Sequence, residues 1–319
     1  MERPAHHGKR RFRNLARIDR GGLDVLVPFL ARRLAGFFRN RPGAPPRVWN
    51  DGAFLRENAR HSDPTVTWIG HSTVLVQMDH RTFLTDPIWS ETPFPVSFVG
   101  PKRFAPPALT LEALPPIDFV LVSHNHYDHL DLPTLRWLVA TGTRVFVPLG
   151  DAGWLRAARI GPVEELDWWE RREVAGLEIH CVPAQHWSGR RLTDDCASLW
   201  SGWVVTGPTR RFYFAGDSGY FPGFREIGAQ LGPFGLAAMP IGGYDPPRMM
   251  RPVHLDPEEA VQAGLEVGAE RILGIHYGTF DLTDEPLDEA PRRFHAEGAR
   301  RGIAPERLWT PPLGETLLW

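Results

Sequence analysis

The chain has 319 residues, which is enough for one large hydrophobic core or two modest ones. Apolar residues make up 42% of it and charged residues 23%, as is ordinary for a soluble globular protein. Cys181 and Cys196 are the only cysteines, which excludes a disulfide framework and removes cysteine as a source of metal ligands. This usage suits a reducing compartment, so we expect a cytoplasmic protein.

The net charge of −2 conceals an uneven distribution. Residues 1–50 carry twelve Lys and Arg against three Asp and Glu, a net +9, and the remainder carries a net −11. A basic arm on an acidic body indicates an anionic partner, either a membrane or a nucleic acid, and a solvated disordered tail explains it equally well. The sequence predicts no signal peptide and no transmembrane helix, because the apolar stretch at 25–31 is far shorter than the roughly 20 residues that a bilayer needs.

Residues 23–38 place apolar side chains at helical spacing with arginines nearby. Pro28 fits best in a first turn, so the helix is predicted to begin near it. A basic amphipathic helix of this kind can lie in a membrane interface, although packing against the body is slightly favoured. A Pro- and Gly-rich linker at 42–46 separates the arm, residues 1–45, from the domain predicted at 46–319.

From about residue 64 onward, short strands alternate with turns. The predicted strands are 66–69, 73–78, 82–85, 119–122, 144–147, 177–182, 211–215 and 236–239. A helix is predicted around 132–140, and Asp256-Pro257-Glu258-Glu259 begins another, since Asp caps, Pro occupies the first position and the acids face the dipole. This order fits two sheets flanked by helices.

The strongest chemical signal is His124-x-His126-x-Asp128-His129, directly after the strand at 119–122. Imidazoles and carboxylates are the natural zinc ligands when cysteine is absent. A turn after a strand can aim His124 and His126 at one metal, while Asp128 and His129 reach a second. A lone histidine is usually a core or surface residue, but four ligand-type residues within six positions are hard to explain by packing.

His186, Asp217 and His276 occupy comparable positions further along the chain. Each follows an apolar strand, beside small residues that let the backbone turn tightly. Strand ends of this kind are where ligand sites gather in α/β proteins. Each residue is a weak signal alone, and the shared position makes the three a set.

The HxHxDH run, the later His, the Asp after a strand and the final His resemble the metal pattern of the metallo-β-lactamase superfamily. Further motifs resemble one branch of it, the N-acyl-phosphatidylethanolamine phospholipase D-like proteins. Those motifs are Trp68-Ile69-Gly70-His71-Ser72-Thr73, Leu84-Thr85-Asp86-Pro87, Gly100-Pro101-Lys102-Arg103-Phe104, Leu114-Pro115-Pro116-Ile117-Asp118, Glu165-Leu166-Asp167-Trp168-Trp169-Glu170, Gly232-Pro233-Phe234 and His254-x-Asp256-Pro257-Glu258-Glu259-Ala260. The resemblance covers roughly residues 64–315, and the collinear motifs are its specific part.

This resemblance implies an α/β (α+β) fold, a four-layer αββα sandwich of two mixed sheets with two Zn²⁺ ions between the sheet edges. One zinc would be held by three histidines, the second by an aspartate and two histidines, and a further aspartate would bridge the two metals. In that order, the ligands are His124, His126 and His186; Asp128, His129 and His276; and Asp217.

The family's reaction releases an N-acylethanolamine and phosphatidic acid from a membrane phospholipid, through a hydroxide that the two metals activate. The resemblance places Asp128 at the reacting centre. His254 matches a family histidine near the site, with an expected role in contacting the phosphate or assisting the leaving oxygen. Hydrogen bonding at a helix start explains His254 equally well.

One departure from the family concerns the loop before Gly-Pro-Lys-Arg-Phe, where animal members carry Gln-Tyr in a region associated with the substrate groove. Ser97 and Phe98 stand there in this chain and are the candidate substrate contacts. The basic arm fits a phospholipid or membrane-surface substrate, because lipid is drawn from an anionic interface. A peripheral membrane association and a possible homodimer are therefore expected.

Two other functions fit parts of the sequence. A soluble metallo-hydrolase acting on a lactone, a cyclic phosphate or another small ester would share the same metal motifs. A nucleic-acid enzyme would use the basic arm, but a groove that follows phosphates needs basic residues near the metals, and the body is acidic. No nucleic-acid partner is therefore expected.

Overall fold

Two seven-stranded mixed sheets form the centre of the protein. The computed structural model describes residues 4–19, 21–36, 43–95, 100–191 and 193–319. In each sheet, three antiparallel strand pairs are followed by three parallel pairs, so both sheets repeat one pairing pattern. Helices cover the outer faces of the sheets. The α/β class and the αββα layering expected from the sequence are confirmed.

The elements have the following bounds. The first sheet, in spatial order, consists of β14 Thr316–Leu318, β1 Thr65–Gly70, β2 Thr73–Met78, β3 Arg81–Thr85, β4 Phe119–Leu121, β5 Arg144–Pro148 and β6 Val163–Leu166. The second consists of β13 Leu308–Trp309, β12 Ala269–Ile275, β11 Phe234–Pro240, β10 Arg211–Phe214, β9 Gly202–Thr206, β8 Leu177–Val182 and β7 Arg171–Val174. The helices are α1 Leu23–Gly36, α2 Ala53–His61, α3 Leu132–Ala140, α4 Ala152–Ala157, α5 Gly223–Leu231, α6 Pro247–Met250, α7 Pro257–Glu266 and α8 Glu289–Arg300.

The two sheets pack face to face through aromatic side chains. Phe83 of β3 stacks on Phe119 of β4 at 4.8 Å between ring centroids, and it meets the edge of Phe212 in β10 at 5.7 Å. All three rings are fully buried, which stabilises the fold by roughly 1.5–3 kcal/mol for each side chain. The strand ends that follow these residues are therefore held rigidly with respect to one another.

The predicted strands all occur: those at 73–78 and 177–182 have the expected bounds, and the ends of the others shift by at most two residues. Asp256 caps α7 as expected: its Oδ1 accepts from the Glu259 N–H at 2.8 Å, and its own N–H donates to Glu259 Oε2 at 3.2 Å. The prediction for α1 was wrong at its start. The helix begins at Leu23 and contains Pro28 in its interior, where the missing N–H leaves the Asp24 carbonyl without its intrahelical donor.

The basic arm lies against the body over two stretches. Residues 4–14 make hydrogen bonds to the segments around Asp167, His186 and Cys196. The α1 helix contacts α6 and forms ion pairs with residues 281 and 284. No helix among the described residues is long and apolar enough to cross a bilayer.

Candidate metal centre

The seven predicted ligands come together where strands of both sheets end. The 124–129 run follows β4 of the first sheet. His186, Asp217 and His276 follow β8, β10 and β12 of the second sheet. Because the two sheets face each other, side chains from these four strand ends meet at one edge of the sandwich.

Three histidine nitrogens converge in the first half of the cluster. His124 Nε2 lies 2.8 Å from His126 Nδ1, and His186 Nε2 lies 3.3 Å from the same atom. A neutral imidazole ring has only one N–H, so three rings this close cannot satisfy all of their nitrogens with hydrogen bonds to one another. A cation between the nitrogens would stabilise the arrangement. The geometry therefore matches a three-histidine metal site.

The second half of the cluster contains two carboxylates. Asp217 Oδ2 lies 3.1 Å from His129 Nε2 and 3.2 Å from His276 Nε2, and it is 3.8 Å from His186 Nε2 in the first half. Asp128 Oδ2 lies 3.3 Å from His129 Nε2. Asp217 thus stands between the two halves, as a bridging ligand would.

Several buried polar atoms in the cluster have no hydrogen-bond partner among the described residues. They are His126 Nε2, His129 Nε2, Asp217 Oδ1, His254 Nδ1 and both ring nitrogens of His276. Leaving a buried polar atom unsatisfied costs about 1–3 kcal/mol, so a group of them in one place points to a bound ion or water. Nitrogen and carboxylate donors without cysteine suit zinc or a similar divalent ion, and the residues present fit such metals.

Hydrogen bonds behind the cluster fix the orientation of the histidines. Asp86 Oδ2 accepts from His129 Nδ1 at 2.6 Å and from the Ser123 hydroxyl at 2.6 Å. Ser123 Oγ in turn lies 2.9 Å from His124 Nδ1. These contacts leave the Nε2 atoms of His129 and His124 facing the cluster, as in carboxylate–histidine–metal arrangements.

Backbone strain is concentrated at the same place. His71, Asp86 and His276 have positive φ angles of 51°, 35° and 61°, a region that side chains with a Cβ rarely adopt. Gly216, next to Asp217, has a φ of 60°, and a Cβ there would lie 2.6 Å from Ser123 Cβ. The close approach of β4 and β10 at the metal ligands therefore requires glycine at this position.

His71 is a site residue whose role the sequence did not reveal. It is 2% exposed, its Nε2 lies 3.0 Å from Asp128 Oδ2, and its ring lies 4.2 Å from that of His276. With Asp128, His129 and His276 it forms a group of four that could hold one metal ion. The available signal was its place in the Trp-Ile-Gly-His-Ser-Thr motif.

In the metal-free chain, the histidines of the two halves of the cluster differ in protonation. Burial lowers the pKa of His126 and of His186 to about 3 and that of His124 well below its usual value, so these rings are neutral at pH 7. Burial would also lower the pKa of His276, but Asp217 and Asp128 raise it to about 9. Burial also acts to lower the pKa of His129, but nearby carboxylates, Asp217 first among them, raise it well above its usual value.

His254, the second catalytic candidate, lies beside the cluster. Its Nδ1 is 3.8 Å from Asp217 Oδ2, and its ring is 5.0 Å from that of His186. Burial lowers the pKa of His254 to about 3, so its imidazole is neutral. Ser97 and Phe98, the candidate substrate contacts, lie outside the described residues.

A cavity of about 720 Å³ opens from the cluster. Metal-ligand candidates and His254 line its inner end. Its wall is apolar and comes from α1 and from the segment around α6. The apolar side chains of that wall are Leu23, Leu26, Phe29, Met249, Met250 and Val253.

The class of protein follows from this fold and cluster: a metal-dependent hydrolase. A family model described as Beta-lactamase superfamily domain matches residues 81–277. A metallo hydrolase from Ignicoccus hospitalis has a similar structure, with a TM-score of 0.61 and 24% identity, covering 80% of this chain and 98% of that one. An isothiocyanate hydrolase from Delia radicum gut bacteria has a TM-score of 0.63 and 19% identity, again covering 80% and 98%.

Two relatives narrow the class further. The chain is 41% identical to N-acyl-phosphatidylethanolamine-hydrolyzing phospholipase D 1 of Caenorhabditis elegans, over 78% of this chain and 74% of that protein. It is 34% identical to the mitochondrial N-acyl-phosphatidylethanolamine-hydrolyzing phospholipase D of Saccharomyces cerevisiae, over 78% and 55%. The chain therefore belongs to the metallo-β-lactamase superfamily, in its N-acyl-phosphatidylethanolamine-hydrolysing phospholipase D-like branch.

Proposed function

We propose that the protein binds two zinc ions and hydrolyses N-acyl-phosphatidylethanolamine to an N-acylethanolamine and phosphatidic acid. The observation that carries this proposal is the cavity, which joins a cluster of metal-ligand candidates to a wall of apolar side chains. A lipid phosphodiester has the same two parts, a charged phosphate and long hydrocarbon chains. The names of the relatives at 41% and 34% identity support the same substrate.

The donor set supports a division of the metals between the two halves of the cluster. His124, His126 and His186 would hold one ion. Asp128, His129 and His276 would hold the other, and Asp217 would bridge them. Zinc at such donors activates water and offsets the negative charge that develops on phosphoryl oxygens.

The chain's own residues have the following roles in this reaction. The oxygen of a water molecule bonds to phosphorus as the bond between phosphorus and the ethanolamine oxygen breaks, and the leaving oxygen takes up one of the two protons of that water. His254 is neutral and stands at the cluster, where it can hold a phosphoryl oxygen or direct that proton. Trp187, also on the cavity wall, packs its ring 4.2 Å from that of His126 and adds apolar surface beside the cluster.

The outer face of α1 supports a peripheral contact with the membrane. Leu23, Val27 and Leu30 are 74%, 58% and 48% exposed. Leu23 and Leu26 also line the cavity, so the surface that would meet lipid is continuous with the surface that would hold its chains. Entry of a lipid from an anionic interface would then require no transfer through water.

Vesicles containing N-acyl-phosphatidylethanolamine test the proposal directly. The zinc-loaded chain is expected to release N-acylethanolamine and phosphatidic acid, and a chelator is expected to abolish the release. Phosphatidylethanolamine without the N-acyl group serves as the matched substrate control. If a soluble phosphodiester is cleaved and no N-acylethanolamine appears, the protein is instead a hydrolase of small esters.

A further inference from the structure

Residues 4–14 of the arm fold back on themselves behind the metal cluster. The Gly8 N–H donates to the Arg11 carbonyl at 2.8 Å, and the Arg13 N–H donates to the His6 carbonyl at 2.9 Å. The Phe12 N–H donates to the Cys196 carbonyl of the body at 2.8 Å. This segment precedes the region of the family resemblance and contributes no ligand to the cluster.

Asn14 joins this segment to a predicted metal ligand. Its Nδ2 donates to the His186 carbonyl at 2.8 Å, and its Oδ1 accepts from the His186 N–H at 3.0 Å. The His186 ring is fixed separately, since its Nδ1 donates to the Val253 carbonyl at 2.8 Å. One amide side chain therefore holds both main-chain polar groups of His186, and the ring has one way to point its Nε2 at the cluster.

Asn14 is itself held in place from the body side. Trp200, which is 1% exposed, donates its Nε1–H to Asn14 Oδ1 at 3.2 Å and to the Ala184 carbonyl at 3.0 Å. The same indole thus contacts the arm and the loop that leads to His186. The Asn14 amide cannot rotate without breaking its hydrogen bonds to Trp200 and to His186.

The far end of the segment has a second attachment. His6 Nε2 and His7 Nε2 each lie 2.7 Å from a different oxygen of Asp167. The His6 ring lies 4.4 Å from that of Trp168, whose Nε1–H donates to the Trp200 carbonyl at 2.6 Å. Both attachments therefore converge on the body around Trp200.

We propose that Asn14 is a positioning residue for the metal centre, which it serves by holding the His186 loop so that His186 Nε2 meets His124 and His126. Partners that orient a metal ligand typically change metal affinity by about 10–100-fold when they are removed. The inference rests on the metal cluster and not on the identity of the lipid. The arm then belongs to the metal site, so deleting residues 1–45 would disturb metal binding as well as any membrane contact.

The test compares Asn14→Ala with Asn50→Ala in the full-length, zinc-loaded chain. Asn50 is a matched control because its amide also bridges main-chain groups: Nδ2 donates to the Gly314 carbonyl at 2.6 Å, and Oδ1 accepts from the Gly52 N–H at 2.9 Å. Neither of those partners belongs to the cluster. Zinc retained per chain is measured against chelators of graded affinity, and the visible spectrum of the cobalt-substituted protein reports ligand geometry.

In Asn14→Ala, one of the two zinc ions is expected to be bound roughly tenfold less tightly, with an altered cobalt spectrum, while Asn50→Ala behaves like the unsubstituted chain. Should Asn14→Ala fail to fold, the double variant His6→Ala/His7→Ala decides, with a smaller loss of the same zinc expected. Unchanged zinc retention would overturn the proposal, and so would an equal loss in Asn50→Ala. Since these readouts use no lipid, they fail or succeed independently of the proposed substrate.

Discussion

The metal cluster and the apolar wall of the same cavity are built in different ways. His124, His129 and His276 follow strand ends, are at most 5% exposed, and lie in a network of short polar contacts. The wall depends on α1 and on the segment around α6, both of which lie outside the two sheets. If the proposed function holds, this difference separates the chemistry, which belongs to the strand ends, from the choice of substrate, which belongs to a helix that can change without moving the predicted metal ligands.

The energetics of α1 agree with that division. The ion pair of Arg33 with Asp281 is mostly buried, but those of Arg32 with Asp284 and of Arg248 with Asp24 include arginine side chains that are more than half exposed. Such pairs contribute about 0–1 kcal/mol each, whereas the buried Phe29 contributes roughly 1.5–3 kcal/mol. The attachment of α1 is therefore weak beside that of the strand ends, and substitutions in the two regions should have distinct effects.

The largest effect is expected from Asp217→Ala on the rigid side. Removing the carboxylate that stands between the two halves takes from His129 and His276 their nearest opposing charge in the cluster and leaves Asp128 alone there to oppose them. At least one metal ion should be lost, with hydrolysis of any phosphodiester falling by about 10³-fold or more. Metal analysis and turnover measure both changes, with the exposed Asp288→Ala as control; two zinc ions per chain in Asp217→Ala would contradict the metal assignment.

The second prediction separates the two halves of the cluster by pH. The raised pKa values of His129 and His276 mean that both carry protons at pH 7.5 in the metal-free chain, so metal must displace them. His124, His126 and His186 have lowered pKa values, so each is a neutral ring with a single N–H and a free nitrogen for the metal. Protons compete more strongly as pH falls, so lowering the pH from 7.5 to 6.5 should weaken the second metal by up to ~100-fold and leave the first nearly unchanged.

Calorimetric titration with zinc in two buffers of different ionisation enthalpy measures this proton release. Up to two protons are expected to leave with the metal bound by Asp128, His129 and His276, and close to none with the other metal. Equal release at both steps would show that the protonation difference between the halves is wrong.

A smaller loss of metal affinity is expected when the residue that orients a predicted ligand is changed and the ligand itself is kept. Asp86→Asn leaves His129 without a carboxylate at its Nδ1, which should weaken metal affinity by about 10–100-fold. Asp118→Asn is the matched control, because Asp118 Oδ2 accepts from the Thr82 N–H at 2.8 Å at the other end of β3. If both variants bind zinc equally well, Asp86 supports the fold and not the metal.

The sequence predicted which residues meet at the strand ends, but it did not predict the residues that support them or the start of α1, and the reason is physical. Predicted ligands such as His186 and Asp217 follow apolar strands, and these strand ends converge at one edge of the sandwich. His71 and Asp86 belong to the motifs that carry the family resemblance, but their roles depend on which strand end each one faces across the sheets. Nothing in the sequence indicated a role for Asn14, because the contacts of a single amide in a basic arm depend on where the folded arm lies.

The apolar side should show the smallest and most selective effect. Leu23 and Leu26 line the cavity and are 74% and 40% exposed, so Leu23→Ser/Leu26→Ser removes apolar contact area with little cost to folding. Hydrolysis of lipid in vesicles should fall about fivefold through a higher KM, because each lost leucine contact weakens chain binding by roughly 1 kcal/mol or less at exposed positions. Turnover of a soluble phosphodiester and zinc content should not change.

Leu318→Ser, 63% exposed on β14, is the control with no part in the cavity. If the α1 variant also loses turnover of the soluble phosphodiester, then α1 and the metal cluster depend on each other. The distinction between a rigid metal cluster and an adjustable apolar wall would then be wrong.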